Sequence, residues 1–133
     1  MAWNLKEKEV EALLAADGKR RYEYFVRRVC ETRKVWTLYA DGWASFSDGE
    51  KTLVPLWPHE TYAARFGKGD WSSFAPTSIT LRVFLDHWIP GMKKDRVEPA
   101  IFPVDSGSAV SVSPADLESH LRIELFEVYG EEG

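Results

Sequence analysis

Cysteine is nearly absent: Cys30 stands alone among 133 residues. One thiol excludes an internal disulfide and any multi-cysteine metal site. Long apolar runs are missing as well, and no stretch approaches the roughly 20 residues that span a bilayer. The N-terminus, MAWNLKEKEVEALLAADGKRR, is too charged for a secretory signal. These absences together predict a reduced, cytoplasmic protein with no membrane partner. Catalytic phrases are lacking too. No G-x-S-x-G, Walker loop or G-x-G-x-x-G occurs, and glycines appear singly, in turns. The three histidines, His59, His87 and His120, fall in neither an H-x-x-x-H nor an H-E-x-x-H pattern, so no local metal site is expected. Repeats, low-complexity tracts and linkers are not found, which predicts one domain over residues 1–133.

What the chain does have is apolar bulk. It is 44% hydrophobic and 14% aromatic, enough at this length to build a core without staples. The net charge of −4 argues against nucleic acid or an anionic membrane as partner. That charge is unevenly placed. Residues 17–34 hold seven Lys/Arg against three Asp/Glu, and residues 114–133 hold one Arg against six Asp/Glu. Two solvated helix faces of opposite sign, touching one another, explain this most simply. The basic stretch lacks the dense interleaving of aromatics and cations that marks a nucleic-acid binder.

Periodicity predicts the element order α-α-β-β-β-α-α-β-β-α. A first helix is expected over residues 5–16, with Asn4 as N-cap and Val10, Leu13 and Leu14 as its stripe. A second, over 19–32, places Tyr22, Phe25, Val26, Val29 and Cys30 on one buried face and leaves Arg20, Arg21, Arg27 and Arg28 outside it. Residues 34–40, 43–47 and 52–56 read as a meander of three strands, turned by Asp41-Gly42 and Asp48-Gly49. A short helix follows over 58–66, then a loop over 68–76. A longer helix, capped by Thr77 or Ser78, carries Leu81, Phe84, Leu85 and Trp88 inward and stops at Pro90-Gly91. Strands at 100–104 and 108–112 flank a turn at Asp105-Ser-Gly107. The last helix has Ser113 as N-cap, Pro114 at N1, and an inner face of Leu117, Leu121, Leu125 and Val128, closed by Gly130. Strands that come in hairpins predict an α+β fold, with an antiparallel sheet of about five strands and helices packed on it.

Several of these phrases are familiar in combination. Residues 35–66 carry V-W-x-L-x-x-D-G and then V-P-L-W-P-x-x-x-Y-A, with Phe66 shortly after. Residues 81–88 carry L-x-x-F-L-x-x-W, and residues 102–117 carry F-P-x-x-x-x-x-A-V-S-V-S-P-A-D-L. In this order they resemble the bacterial family known as domain of unknown function 2750, over residues 22–129. The strand–Pro-Leu-aromatic–helix phrase is also similar to secretion regulators of the SseB type. The resemblance implies a small bacterial cytosolic α+β domain, and it carries no catalytic residue with it.

The candidate residues then divide between structure and recognition. Cys30 lies on a buried stripe and is expected to behave as a small hydrophobe. His59 and Glu60 open a helix, where an acidic side chain suits the dipole. His87 and His120 border apolar stripes. Trp36 and Trp88 occupy periodic apolar faces and are expected in the core. The aromatics at 57–74 stand apart, because large rings in a loop are harder to explain as core. Trp57, His59, Tyr62, Trp71 and Phe74 are therefore the candidate binding residues, with Arg65 and Lys68 as a polar rim, and packing of the loop back on the sheet is the structural alternative, which the stretch as a whole favours. This pattern predicts a non-catalytic binding or regulatory module with a protein or small-molecule partner, without cofactor or metal, and leaves homo-oligomerisation open. The alternative is a small enzyme whose site is assembled from dispersed residues such as His59, Asp86 and His87.

Overall fold

The computed structural model describes residues 5–47, 49–67, 72–104 and 109–131. Two helices come first, α1 (Glu7–Ala15) and α2 (Gly18–Thr32). The expected cap of α1, Asn4, lies outside the described residues. Asp17 caps α2: its carboxylate accepts the Arg20 N–H at 2.8 Å, satisfying a donor that the first turn cannot. Phe25, Val26, Val29 and Cys30 are buried, as their spacing demands. At the far end Arg33 turns left-handed (φ 63°), and its N–H returns to the Val29 carbonyl. The chain passes directly from there into β1 (Lys34–Tyr39).

Arg21 departs from the expectation that the arginines of α2 stay outside. It is 4% exposed, and its Nε donates to the Phe102 carbonyl at 3.2 Å while Nη1 donates to the Ala16 carbonyl at 2.6 Å. A guanidinium can leave water only when its donors find acceptors. Phe102 offers its carbonyl from a left-handed backbone (φ 55°), a conformation that costs a phenylalanine about 1–3 kcal/mol. The packing of its ring against Tyr62, at a centroid distance of 4.6 Å, helps hold it there.

The strands do not form a single antiparallel sheet. Among the described residues β1 pairs with β4 (Ala75–Thr80) in one two-stranded sheet. A four-stranded sheet runs in the order β2 (Phe46–Ser47), β3 (Thr52–Leu56), β5 (Val97–Ile101), β6 (Val110–Ser111). Within it β3 and β5 are parallel, in register from Thr52↔Val97 to Leu56↔Ile101. A parallel pair needs a long crossover, and α3 (Glu60–Phe66), β4 and a helical run supply it. Turn signals in a sequence report only hairpins, so this pairing corrects the expected antiparallel sheet. The coarser class, α+β, holds. Trp36 and Trp57 fasten the two sheets by exchanging backbone hydrogen bonds of 2.9 and 2.8 Å.

Residues 75–80 are a second correction, since a helix was expected to start at Thr77 or Ser78. The segment Ala-Pro-Thr-Ser-Ile-Thr pairs with β1 along its whole length. Pro76 favours extended backbone before it, and the β-branched residues after it suit a strand. The cap falls instead to Thr80, whose hydroxyl accepts the Val83 N–H at 3.2 Å. The helical run therefore begins at Leu81.

The C-terminal helix α6 (Pro114–Tyr129) closes the core from one side. Ser113 caps it, accepting the Asp116 N–H at 3.0 Å, and Gly130 ends it at φ 68°. Leu117, Leu121 and Leu125 are buried, but Val128, expected on the same face, is exposed. The two charge-rich segments do touch. Arg33 makes a two-pronged ion pair with Glu131, one arm at 2.8 Å. The expected turn at Asp105-Ser-Gly107 lies outside the described residues.

Candidate functional site: an aromatic groove

The Asp41-Gly42 turn sets one wall of the site. Asp41 adopts φ 57°, the Ala40 N–H reaches the Gly42 carbonyl at 2.9 Å, and the Ala44 N–H reaches the Leu38 carbonyl at 2.9 Å. The chain doubles back, and Trp43 bridges to Tyr39. Their rings meet edge to face at 4.8 Å. On its other side Trp43 meets Trp88 at 4.9 Å and 72°. Trp88 in turn stacks near Phe84 at 6.2 Å. The result is a ladder of rings from surface to core. Tyr39 is 42% exposed and Trp43 44%, whereas Phe84 is fully buried. Edge-to-face pairs add about 0.5–1.5 kcal/mol each beyond burial, so the exposed indole is held in place before anything binds.

The opposite wall is a helix with a widened turn. The run consists of α4 (Leu81–Val83), a π-helical segment (Phe84–Trp88) and α5 (Ile89–Asp95). Pro90 has no N–H to offer the carbonyl of Asp86, and its ring crowds that position. The Ile89 N–H instead reaches the Phe84 carbonyl, five residues back. The helix thus passes through Pro90-Gly91, where a stop was expected. The extra residue also shifts the apolar stripe by one place. Ile89 takes the fully buried position predicted for Trp88, and Trp88 is displaced to the half-buried boundary. Trp36 likewise lies half-buried against the core rather than within it. Widened turns of this kind recur at functional sites because they re-aim side chains.

Between these walls lies a groove of about 360 Å³. Trp43, Trp88 and Met92 give it apolar sides, and Val54 and Val97 of the sheet form its base. Gly91 leaves it open: a Cβ built there would meet nothing within 4 Å. His87 and Asp95 are its polar groups. Among the described residues the Asp95 carboxylate makes no hydrogen bond or ion pair, while nearby Lys93 is held by Glu118 at 2.8 Å. An apolar hollow with few, convergent polar groups is the usual form of a recognition site.

The nominated residues that are described lie elsewhere. Trp57 is fully buried, and its indole N–H donates to the Pro103 carbonyl at 2.9 Å. Tyr62 is 2% exposed, 3.3 Å from the Tyr24 hydroxyl, and burial pushes its phenol up to about 12. His59 is half-buried and caps α3, its Nδ1 accepting the Thr61 N–H at 3.1 Å. Phe74 is half-buried against the core and Arg65 is exposed. Trp71 and Lys68 lie outside the described residues. Of the five nominated residues, the four that are described, Trp57, His59, Tyr62 and Phe74, do not line the groove. Of its lining, the sequence singles out Trp88, at the end of a helical stripe, and His87, among the dispersed residues of the enzyme alternative.

Two of the larger clefts are dominated by charge. One, of about 660 Å³, is lined by Glu9, Arg20, Glu23, Arg27 and Glu124 beside Tyr24. The other, of about 610 Å³, holds Arg33, Arg82, Asp86, Arg122 and Glu131. In the second, Arg33 pairs with Glu131, Arg82 with Asp86 at 3.8 Å, and Arg122 with Glu118 at 3.0 Å. Charges already satisfied in this way offer an incoming ligand little. Asp86 lines this cleft and His87 the aromatic groove, so these neighbours face different clefts. His120 Nδ1 is engaged by the Tyr22 hydroxyl at 2.5 Å. Burial, reinforced by the Asp116 charge, raises Tyr22 to about 12. Cys30 is buried as expected: its thiol lies 3.6 Å from the Leu121 carbonyl, and burial raises it to about 12. Among the described residues no group of three His, Cys, Asp or Glu could hold a metal ion, and no helix is long and apolar enough to cross a membrane.

The model of one protein family, described as "Protein of unknown function (DUF2750)", matches residues 22–121. No curated protein matches the chain, and no solved structure does.

Proposed function

From the premise that the chain belongs to the DUF2750 family, whose description names no activity, we propose that it is a non-catalytic binding module. Its contact surface centres on the groove between Trp43 and Trp88. The observation that carries this reading is the ladder Tyr39–Trp43–Trp88, which holds a large exposed indole rigidly at the mouth of an apolar hollow. Tryptophan is enriched among the anchors that dominate binding energy. A ring already fixed by its neighbours loses little entropy on contact. The 57–74 segment contributes at most His59, Trp71 and Phe74 to such a surface, since Trp57 and Tyr62 belong to the core. An enzyme built from His59, Asp86 and His87 finds less support, because His59 serves as a helix cap and the other two line separate clefts.

The test is selection from a displayed library of random dodecapeptides on the wild-type protein, followed by rescreening on Trp43→Ala. Clones that hold the wild type and lose Trp43→Ala by tenfold or more support the reading. A library in which no clone distinguishes the two folded proteins refutes it.

A further inference from the structure

The groove has a chemical preference built into it. Its sides are aromatic and apolar, and the one carboxylate in its lining, Asp95, is exposed and has no partner among the described residues. The chain neighbours Lys94 and Arg96 do not pair with it there, and Lys93 is taken by Glu118. The ring of the other polar liner, His87, makes no hydrogen bond or ion pair among the described residues. An apolar side chain entering the groove would gain contact with the rings but would offer no donor to Asp95, which water otherwise solvates. A cationic side chain would satisfy both.

We propose, resting on the binding-module reading above, that the groove receives an arginine side chain from a segment of a partner protein. Guanidinium is planar, so it can lie against an indole while its edge donates two parallel hydrogen bonds to a carboxylate. Trp43 and Trp88, with planes 72° apart, line the groove together with Asp95, so rings and an acceptor border the same hollow. Cation–π contact with tryptophan is the strongest of its class. The chain already uses this chemistry on itself: the Arg33 guanidinium lies 5.0 Å from the Tyr129 ring centroid, and that of Arg28 lies 5.4 Å from the Tyr24 ring centroid. The volume, about 360 Å³, is at the small end of ligand pockets, and Trp43 stays 44% exposed at its mouth. Free small ligands need near-complete enclosure for affinity, whereas a side chain on a peptide draws further contact from the segment that carries it. The chain's charge of −4 favours approach of a basic segment.

The dodecapeptide selection supplies the test, read at a finer level. The expected result is enrichment of arginine at one position of the groove-dependent clones. In a synthetic peptide of that sequence, replacing the arginine by norleucine weakens binding about 5- to 30-fold. On Asp95→Asn the arginine peptide loses most of that advantage and the norleucine peptide binds unchanged. Groove-dependent clones without an enriched basic residue overturn the arginine inference and leave the binding-module reading standing. Clones that ignore Trp43→Ala overturn both. Sedimentation velocity adds a further arm: a dimer that Trp43→Ala dissolves assigns the groove to a second copy of the chain and also overturns the inference.

Discussion

Trp43 presents itself to Trp88 edge to face, at 4.9 Å, although one ring hangs from a tight turn and the other ends a π-turn. Two local irregularities, a left-handed Asp41 and an intrahelical Pro90, meet in one contact. Each would be a minor flaw in an ideal element. Together they bring two indoles to a surface groove.

Trp43→Ala is expected to leave the fold intact. The ring is 44% exposed, so the loss is its two edge-to-face contacts and half a side chain of burial, about 2–4 kcal/mol. Chemical denaturation measures this directly. A loss above about 4 kcal/mol would mean that Trp43 is a core residue and the groove a packing defect.

Trp57→Phe tests the opposite assignment. The phenyl ring leaves a void and removes the indole N–H from the buried Pro103 carbonyl. The expected cost is about 2–4 kcal/mol, cavity and unsatisfied acceptor combined. Near-neutral behaviour would return Trp57 to the list of candidate surface contacts.

Arg21→Met removes both donors from the carbonyls of Phe102 and Ala16. The methionine fills much of the space, but the strained Phe102 backbone loses a fastening. A destabilisation of about 2–4 kcal/mol is expected in urea, and its absence would show that Arg21 is a passenger in the core.

Alkali should unfold the protein earlier than its acid groups suggest. Folded Cys30, Tyr22 and Tyr62 hold their protons to about 12, against ordinary values of 9.0 for the thiol and 10.0 for the phenols. Between those values the native state binds more protons than the unfolded one, so stability is full below about pH 9 and falls as pH rises towards 12. Each such group removes up to about 1.4 kcal/mol per pH unit in that window. The urea midpoint should decline from pH 9 upward, and Cys30 should resist thiol reagents at neutral pH until denaturant is added. A midpoint flat to pH 11 would contradict the burial of these groups.

The sequence was most legible where a signal is local. The stripe of α2, the Ser113 cap with Pro114 behind it, and the reversal at Asp41-Gly42 all follow from neighbours within a few residues. The parallel pairing of β3 with β5 joins strands far apart in the chain and leaves no local trace. The strand at 75–80 competes with a run of hydroxyl residues that also read as a helix cap. The groove was illegible for a related reason. A single π-turn shifts Trp88 by one position, and periodicity that assumes 3.6 residues per turn puts it in the core. The 57–74 aromatics drew attention as a cluster, yet the indole of Trp57 is anchored by one buried hydrogen bond to Pro103 that only the fold provides.

Gly91→Leu separates binding from folding and so tests the central claim most directly. A Cβ at this helical position meets nothing, so the substitution should gain about 0.5–1 kcal/mol of stability from helix propensity alone. The leucine side chain would occupy the groove that Gly91 leaves open. Binding of the groove-selected dodecapeptides, measured by titration calorimetry beside urea denaturation, should fall tenfold or more in a protein that is equally or more stable. Undiminished binding in that stable variant would contradict the assignment of the Trp43–Trp88 groove as the contact surface.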